Sequence, residues 1–320
     1  MALLQVEDLK TYYHIARGWV KAVDGVSFQV AKGEALGLAG ESGCGKTTVA
    51  LSLLKILPSG GNIVGGHIRF RDTDLTTIDE GEMRKNIRWK GISIVFQGAM
   101  NALNPVYKVG DQIIEALLLH EPDLSREDAM KRTQSLLETV GIQPSRANSY
   151  PHEFSGGMKQ RALIAMALAC NPELVIADEP GTALDVIVAA QVLKLMKELK
   201  RKLNLAMILI THDLSIIADA CDKTAIMYAG RIAEYGSVVT IFKEPLHPYT
   251  QSLIGAFPSI KGAKRRISSI PGFPPDLLDP PPGCRFHPRC RFAMDVCQKE
   301  QPLYAEVSKG HFVACHLVKS

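Results

Sequence analysis

Apolar residues fall along this chain in short unbroken runs, and several runs end on polar residues with chemistry to offer. Glu34–Gly40 (EALGLAG) leads into GESGCGKTT, and Ile92–Phe96 (ISIVF) stops at Gln97. Leu174–Ala177 (LVIA) stops at Asp178 and Glu179, and Ala206–Thr211 (AMILIT) stops at His212. Short runs without alternation are the pattern of strands covered on both faces, as in a parallel sheet between helices. Open sheets of that kind gather ligands at the carboxyl ends of their strands. The four runs therefore predict one site supplied with a lysine, a glutamine, an Asp-Glu pair and a histidine.

Helical signals fill the intervals. One helix is expected over about Thr47–Leu57 and another over Asp111–Glu121 (DQIIEALLLHE). A third starts at Ser125, with Asp128 completing a capping box, and ends at Gly141. Ser155 reads as the N-cap of a further helix whose apolar run covers Met158–Cys170. From about Pro245 the texture changes. Helical periodicity fades, prolines cluster between Pro271 and Pro282, and four of the seven cysteines appear.

Composition bounds the class. A chain of 320 residues suits one large domain with an appendage, or two domains. Hydrophobic residues at 46% and charged residues at 22% are globular values, enough for a sizeable core. The net charge of +4 is thinly spread, with no basic run beyond Lys264–Arg266, so nucleic acid is not an expected partner. The N-terminus MALLQVEDLKTYY lacks the form of a signal peptide. The apolar run Ala162–Cys170 is about half the roughly 18 residues a membrane helix needs, so any membrane role must come through a partner. An intracellular chain keeps its thiols reduced, which makes clustered cysteines read as a metal site before disulfides.

The first polar terminus is specific by itself. Residues 40–47 fit G-x-x-x-x-G-K-[ST] between a strand and a helix. Gly40, Gly43 and Gly45 let backbone N–H groups turn inward around phosphate oxygens. Lys46 is placed to reach the β- and γ-phosphates, and Thr47 to offer its hydroxyl to Mg²⁺. The helix that follows points its positive end at the same anion. Asp178 suits a Mg²⁺ ligand and Glu179 suits a base that polarises water. Taken alone, an Asp-Glu pair is usually a solvated turn, His212 a structural histidine and Ser155-Gly156-Gly157 a capped helix start. The P-loop in the same chain changes those readings.

With these motifs in order, the chain resembles the ABC ATPase family over almost its whole length. Gly40–Thr47 matches the Walker A loop, Gln97 the Q-loop, and Ser155-Gly156-Gly157 the family signature. Leu174–Glu179 matches Walker B, Ala183-Leu184-Asp185 the D-loop, and His212 the switch histidine. The resemblance implies an α/β P-loop NTPase cassette, with a RecA-like core, an antiparallel β subdomain and a helical subdomain at about 98–165. A small Cys-rich C-terminal extension follows, with the division expected at 1–245 and 246–320. It further implies ATP hydrolysis with Mg²⁺, in which Glu179 is catalytic and Gln97 and His212 sense the γ-phosphate. Ser42, Cys44 and Thr48 join the loop around the nucleotide; Thr47, Gln97 and Asp178 serve Mg²⁺; Asp185 reaches the site from the D-loop. Two subunits pair head to tail in the family, so Lys46 and Ser155 of one chain act on different nucleotides. An early aromatic residue stacks on adenine in the family, which assigns Tyr13, with Tyr12 the alternative. Met158 and Gly181 depart from the family's usual residues without touching this chemistry.

Narrower features resemble the ATPase subunits of oligopeptide/dipeptide importers. They are FQGAMNALNPVYKVGDQI (Phe96–Ile113), YPHEFSGGMKQR, HPYTQSL (His247–Leu253) and IPGFPPDLLDPPPGCRFHPRC (Ile270–Cys290). The GAM at Gly98–Met100 departs from that subfamily's usual Asp-Pro. The implied assembly has a second, homologous ATPase subunit in a heterodimer, two membrane permease subunits and an extracytoplasmic peptide-binding protein. The chain is then peripheral, at the cytoplasmic face of the membrane. Alternatives are the ATPase of a nickel or other small-solute importer, and a non-transport ABC ATPase working on nucleic acid or the ribosome. A single cassette without a heptad run or basic tract speaks against the last.

In the tail, Cys284, Cys290, Cys297 and Cys315 are spaced C-x5-C-x6-C-x17-C, unlike common ferredoxins or zinc ribbons. Four thiols suit a structural Zn²⁺ or an iron–sulfur cluster, and His287, His311 or His316 suits replacement of a thiol around zinc. The importer resemblance implies a 4Fe–4S cluster, with zinc as the alternative. Cys44, Cys170 and Cys221 read as packing residues.

Overall fold

The structure, a computed structural model, describes residues 2–98, 102–256 and 270–318. The basic run at 264–266 and positions 99 and 100 of the GAM departure lie outside them.

From the N-terminus, β1 (Ala2–Ile15) and β2 (Gly18–Ala31) form a long hairpin, followed by β3 (Ala35–Ala39) and α1 (Lys46–Leu53). β4 (Gly61–Phe70) and β5 (Thr73–Asp74) precede α2 (Glu80–Glu82), which continues as a π-helical turn. The middle of the chain holds β6 (Ile92–Val95), α3 (Val109–His120), α4 (Arg126–Thr139), α5 (Gly156–Ala167) and β7 (Leu174–Asp178). α6 (Val186–Leu203), β8 (Ala206–Ile210), α7 (Leu214–Ala220), β9 (Lys223–Tyr228) and β10 (Arg231–Ser237) come next. The C-terminal part carries α8 (Val238–Lys243), α9 (Pro248–Gly255), α10 (Asp295–Lys299) and a hairpin of β11 (Tyr304–Ser308) and β12 (His311–Ala314). No helix of the described residues is long and apolar enough to cross a membrane.

These elements form two compact units. The first comprises Met1–Ala31, Ala35–Thr77 and Ile210–Ser320. It contains an antiparallel sheet in the order β2-β1-β4-β5. Its other sheet runs β11-β12-β10-β9-β3, with β3 parallel to β9 and the remaining pairs antiparallel. All five residues of β3 are buried, as the apolar run predicts. At about 1.5–3 kcal/mol for each fully buried Leu or Ile, such strands anchor whatever loop follows them. One core cluster joins Ala39 of β3, Ile217 of α7, Ile226 and Tyr228 of β9, Tyr249 of α9 and Phe286 of the cysteine-rich segment.

The second unit comprises Lys32–Glu34 and Ile78–Leu209. Its strands lie in the order β8-β7-β6, with β6 and β7 parallel from Ile92↔Leu174 to Val95↔Ala177. The capping signals hold: Ser125 accepts the Asp128 N–H, and Gly141 takes a left-handed φ of 76° after α4. Arg161 of α5 donates to the Val140 carbonyl and so satisfies an orphan acceptor at that helix end. In α6 the buried Val192, Met196 and Leu199 form the inward stripe, and Lys200–Lys202 face the negative end of the helix dipole.

α1 is shorter than expected, ending at Leu53 rather than near Leu57. Lys55 takes a left-handed φ of 50°, and Leu57 precedes Pro58, a position biased away from the helical region.

Candidate functional site

In the first unit, β3 delivers the chain into the glycine-rich loop. Gly40 has φ 147°, and an added Cβ would lie 2.2 Å from the Met227 carbonyl oxygen. Gly45 has φ 105°, and its Cβ would lie 2.2 Å from the Ala22 carbonyl oxygen. The loop is therefore pressed between β1–β2 backbone and β9 at positions where only glycine fits. Gly43, by contrast, has φ 77° and nothing within 4 Å of its ideal Cβ. That open, strand-anchored concavity at the start of α1 fits a phosphate chain.

Lys46 is buried, and its Nζ donates to the carbonyls of Gly40 at 2.7 Å and Glu41 at 3.0 Å. Thr47, Ser42 and Gly43 are exposed, and Thr48 is half-buried. Cys44 faces inward, with burial raising its thiol pKa against the opposing pull of Lys46. Its carbonyl accepts the Gly230 N–H at 2.9 Å, so Cys44 packs and pins the loop as a packing residue should. His212 is exposed just beyond β8, and the neighbouring Thr211 N–H bonds the Leu38 carbonyl of β3 at 3.3 Å.

The two early tyrosines differ. Tyr12 donates to Asp24 Oδ1 at 2.6 Å, and burial together with that bond pushes its pKa up to about 12. Tyr13 is half-buried, its ring packed over Gly61, whose Cβ would come within 2.7 Å of Tyr13 Cε1.

In the second unit, β7 ends on Asp178, which is buried, and Glu179 turns off it with a left-handed φ of 47°. Gln97, exposed beyond β6, donates through Nε2 to Glu179 Oε2 at 3.0 Å. The Thr182 hydroxyl donates to the same oxygen at 2.9 Å. The expected Gln and Glu thus meet, and Thr182 is a partner that the sequence reading did not include. Its only signal was a hydroxyl three residues after the carboxylate, a common turn spacing. Ser155 caps α5 by accepting the Met158 N–H, and Asp185 caps α6 by accepting the Val188 N–H. Gly157 packs on α6, where a Cβ would lie 2.5 Å from Val188 Cγ1.

The cysteine-rich segment departs from expectation. Cys284, Cys290, Cys297 and Cys315 are free thiols, and no group of three or more His, Cys, Asp or Glu placed to hold a metal ion occurs among the described residues. Neither the 4Fe–4S cluster nor the zinc alternative is supported. Burial, with a further push from the other tail cysteines, raises the Cys284 pKa to about 11. The candidate histidines bond oxygen atoms instead: His311 Nε2 meets Glu234 at 2.8 Å, His316 the Glu300 carbonyl and His287 Nδ1 the Cys284 carbonyl at 2.9 Å. What holds the segment is the β12–β10 pairing, Phe286 in the core and two buried arginines. Arg285 bonds the Ala229 carbonyl and pairs with Asp24, which Arg231 also contacts at 2.8 Å. Burial works to raise the Asp24 pKa, but Tyr12 and the two guanidinium groups outweigh it and hold that carboxyl below its ordinary value.

Comparison with known proteins agrees with this geometry. Residues 23–182 match the ABC transporter family model, and 233–297 match the oligopeptide/dipeptide transporter C-terminal region. The chain is 46% identical to the oligopeptide transport ATP-binding protein AppD of Bacillus subtilis (strain 168), covering 98% of this chain and 96% of that one. It is 45% identical to the oligopeptide transport ATP-binding protein OppD of Escherichia coli (strain K12), with 98% and 93% covered. Among solved structures, cbiO1 of the Clostridium perfringens cbiONQ ABC transporter complex superposes with a TM-score of 0.65 at 28% identity, covering 76% of this chain and 91% of that one. The chain belongs to the ABC transporter family, as an ATP-binding cassette ATPase. Within that family its relatives and its C-terminal region are those of oligopeptide and dipeptide transporters.

Proposed function

We propose that this chain is the ATP-hydrolysing subunit of a membrane importer of dipeptides or oligopeptides. The observation that carries the reading is a glycine-built phosphate cradle on a chain whose C-terminal region matches that of peptide transporters. In this reading residues 1–245 form the cassette and 246–320 the extension, and permease subunits supply the membrane passage.

The loop at 40–48 takes the phosphates, and Lys46 exchanges the Gly40 and Glu41 carbonyls for β- and γ-phosphate oxygens. Thr47, Gln97 and Asp178 would hold Mg²⁺, which when bound neutralises phosphate charge. Glu179 accepts a proton from the water that attacks the γ-phosphorus; the bond to the β-phosphate oxygen breaks, releasing ADP and phosphate. Gln97 and Thr182 orient that carboxylate, and His212 donates to the γ-phosphate. Tyr13 stacks on adenine. Ser155, Gly156, Gly157 and Asp185 serve the nucleotide of a second, homologous ATPase subunit, the N-terminus of α5 being a ready anion site. An extracytoplasmic binding protein delivers peptide, and this chain sits peripherally at the cytoplasmic face.

Purification of the native complex from membranes tests this. Permease subunits should co-purify, and a peptide-loaded binding protein should stimulate ATP hydrolysis. Recovery of the chain on ribosomes or DNA would contradict it.

A further inference from the structure

Arg289 lies 248 residues from Glu41, yet its guanidinium takes both carboxylate oxygens, at 2.6 Å from Nη1 and 2.9 Å from Nη2. Glu41 is the second residue of the phosphate loop. The arginine side chain is 5% exposed; its Nε bonds the Pro271 carbonyl at 2.8 Å and Nη1 also reaches the Tyr228 hydroxyl at 3.3 Å. Its Cζ lies 5.7 Å from the Tyr228 ring centroid. A guanidinium paired through both nitrogens and hydrogen-bonded at Nε has one geometry, not many.

Glu41 is held at every polar group. Its N–H donates to the Tyr249 hydroxyl at 3.0 Å, and its carbonyl accepts from Lys46 Nζ at 3.0 Å. Tyr249 is wholly buried and packs edge-on against Tyr228, which packs edge-on against Phe286 of the cysteine-rich segment. One path of direct contacts therefore runs from that segment through Arg289 and Glu41 to the lysine of the phosphate loop. Nothing in a general phosphate loop requires a carboxylate at this place, where it adds negative charge beside an anion site. Arg289 neutralises it in a fixed geometry.

We propose that Arg289 is a positioning residue for nucleotide binding, and that the C-terminal segment is thereby a working part of the ATP site. The inference rests on the phosphate loop being that site. Losing the clamp frees the Glu41 carboxylate beside the phosphates and loosens the loop backbone whose N–H groups would face them. Ground-state binding suffers, so KM rises while kcat changes little.

The test is ATP binding and steady-state hydrolysis by the full chain, wild type and variants. Arg289→Lys keeps the charge but loses the fork; Glu41→Gln keeps the shape but loses the charge. Arg289→Ala should weaken ATP binding about tenfold or more, a size set by hydrogen bonds to charged groups, and Arg289→Lys should rescue only part of it. Arg289→Ala combined with Glu41→Gln should bind better than Arg289→Ala alone, because no unpaired carboxylate then faces the phosphates. Glu306→Ala removes the bond to the Gly310 N–H in the exposed turn of the tail hairpin and should leave ATP affinity within about twofold, as changes at sites without shared partners do. Lys46→Ala separates the failures. If wild type and Lys46→Ala bind ATP alike, the phosphate-loop reading fails. If Lys46→Ala loses binding while folded Arg289→Ala and Arg289→Lys both bind like wild type, the positioning role alone is overturned.

Discussion

Gln97 and Glu179, 82 residues apart, are joined by a 3.0 Å hydrogen bond from Nε2 to Oε2. The Thr182 hydroxyl holds the same oxygen from the other side of a tight turn. Glu179 also carries a left-handed φ of 47°, which costs a non-glycine residue about 1–2 kcal/mol. A strained backbone held by two side-chain donors fixes the direction of a carboxylate, as a general base requires. Thr182→Val removes one donor at nearly constant volume. In the proposed mechanism Thr182 orients the base without touching nucleotide, so kcat for ATP hydrolysis should fall about tenfold, with KM within about twofold. A raised KM at constant kcat would assign Thr182 to binding instead.

The phosphate-loop glycines separate into two kinds, which substitution by alanine distinguishes. At Gly45 a methyl group meets the Ala22 carbonyl at 2.2 Å, so Gly45→Ala should unfold the loop and lower global stability by about 2 kcal/mol or more. At Gly43 a methyl meets nothing within 4 Å. Gly43→Ala should cost only the backbone term of about 1 kcal/mol, while its methyl blocks the phosphate approach. Chemical denaturation and ATP titration of the two variants, side by side, should show stability lost in one and affinity lost in both.

Much of this was readable in advance, for a physical reason. The runs feeding Gly40, Gln97, Asp178 and His212 appear as β3, β6, β7 and β8, because a strand buried on both faces must be apolar throughout. Ser125 and Ser155 cap helices as expected, since capping is decided within a few residues. The Asp24–Arg285 and Glu41–Arg289 pairs were not readable. Each joins residues more than two hundred positions apart, and no local periodicity marks which charge meets which. The same blindness explains the cysteines: the importer resemblance implied a cluster, whereas in the fold Cys284 and Cys290 pack against the aromatic core and no metal-holding group forms among the described residues.

His247 gives the fold a pH dependence of definite sign. It is buried, its Nδ1 accepts the Tyr249 N–H at 3.0 Å, and burial lowers its pKa from 6.5 to about 4. The unfolded chain therefore binds a proton that the folded chain refuses between those two values. The stabilisation is complete above about pH 6.5, falls as pH drops towards about 4, and is then lost, to a total of about 3 kcal/mol. Denaturation midpoints across this range should fall with pH in the wild type. In His247→Gln the slope should be shallower by up to one proton; an unchanged slope would mean that His247 titrates normally in the folded state.

The central claim is that ATP hydrolysis by this chain drives peptide uptake, and Glu179→Gln tests it most directly. Uptake of a labelled peptide would be measured in cells lacking the gene and supplied with wild type or the variant, with ATP binding measured on the purified proteins. Wild type should restore uptake, and Glu179→Gln should bind ATP within about twofold of wild type yet reduce hydrolysis and uptake at least about 100-fold. Peptide uptake at the wild-type rate with Glu179→Gln would contradict the account.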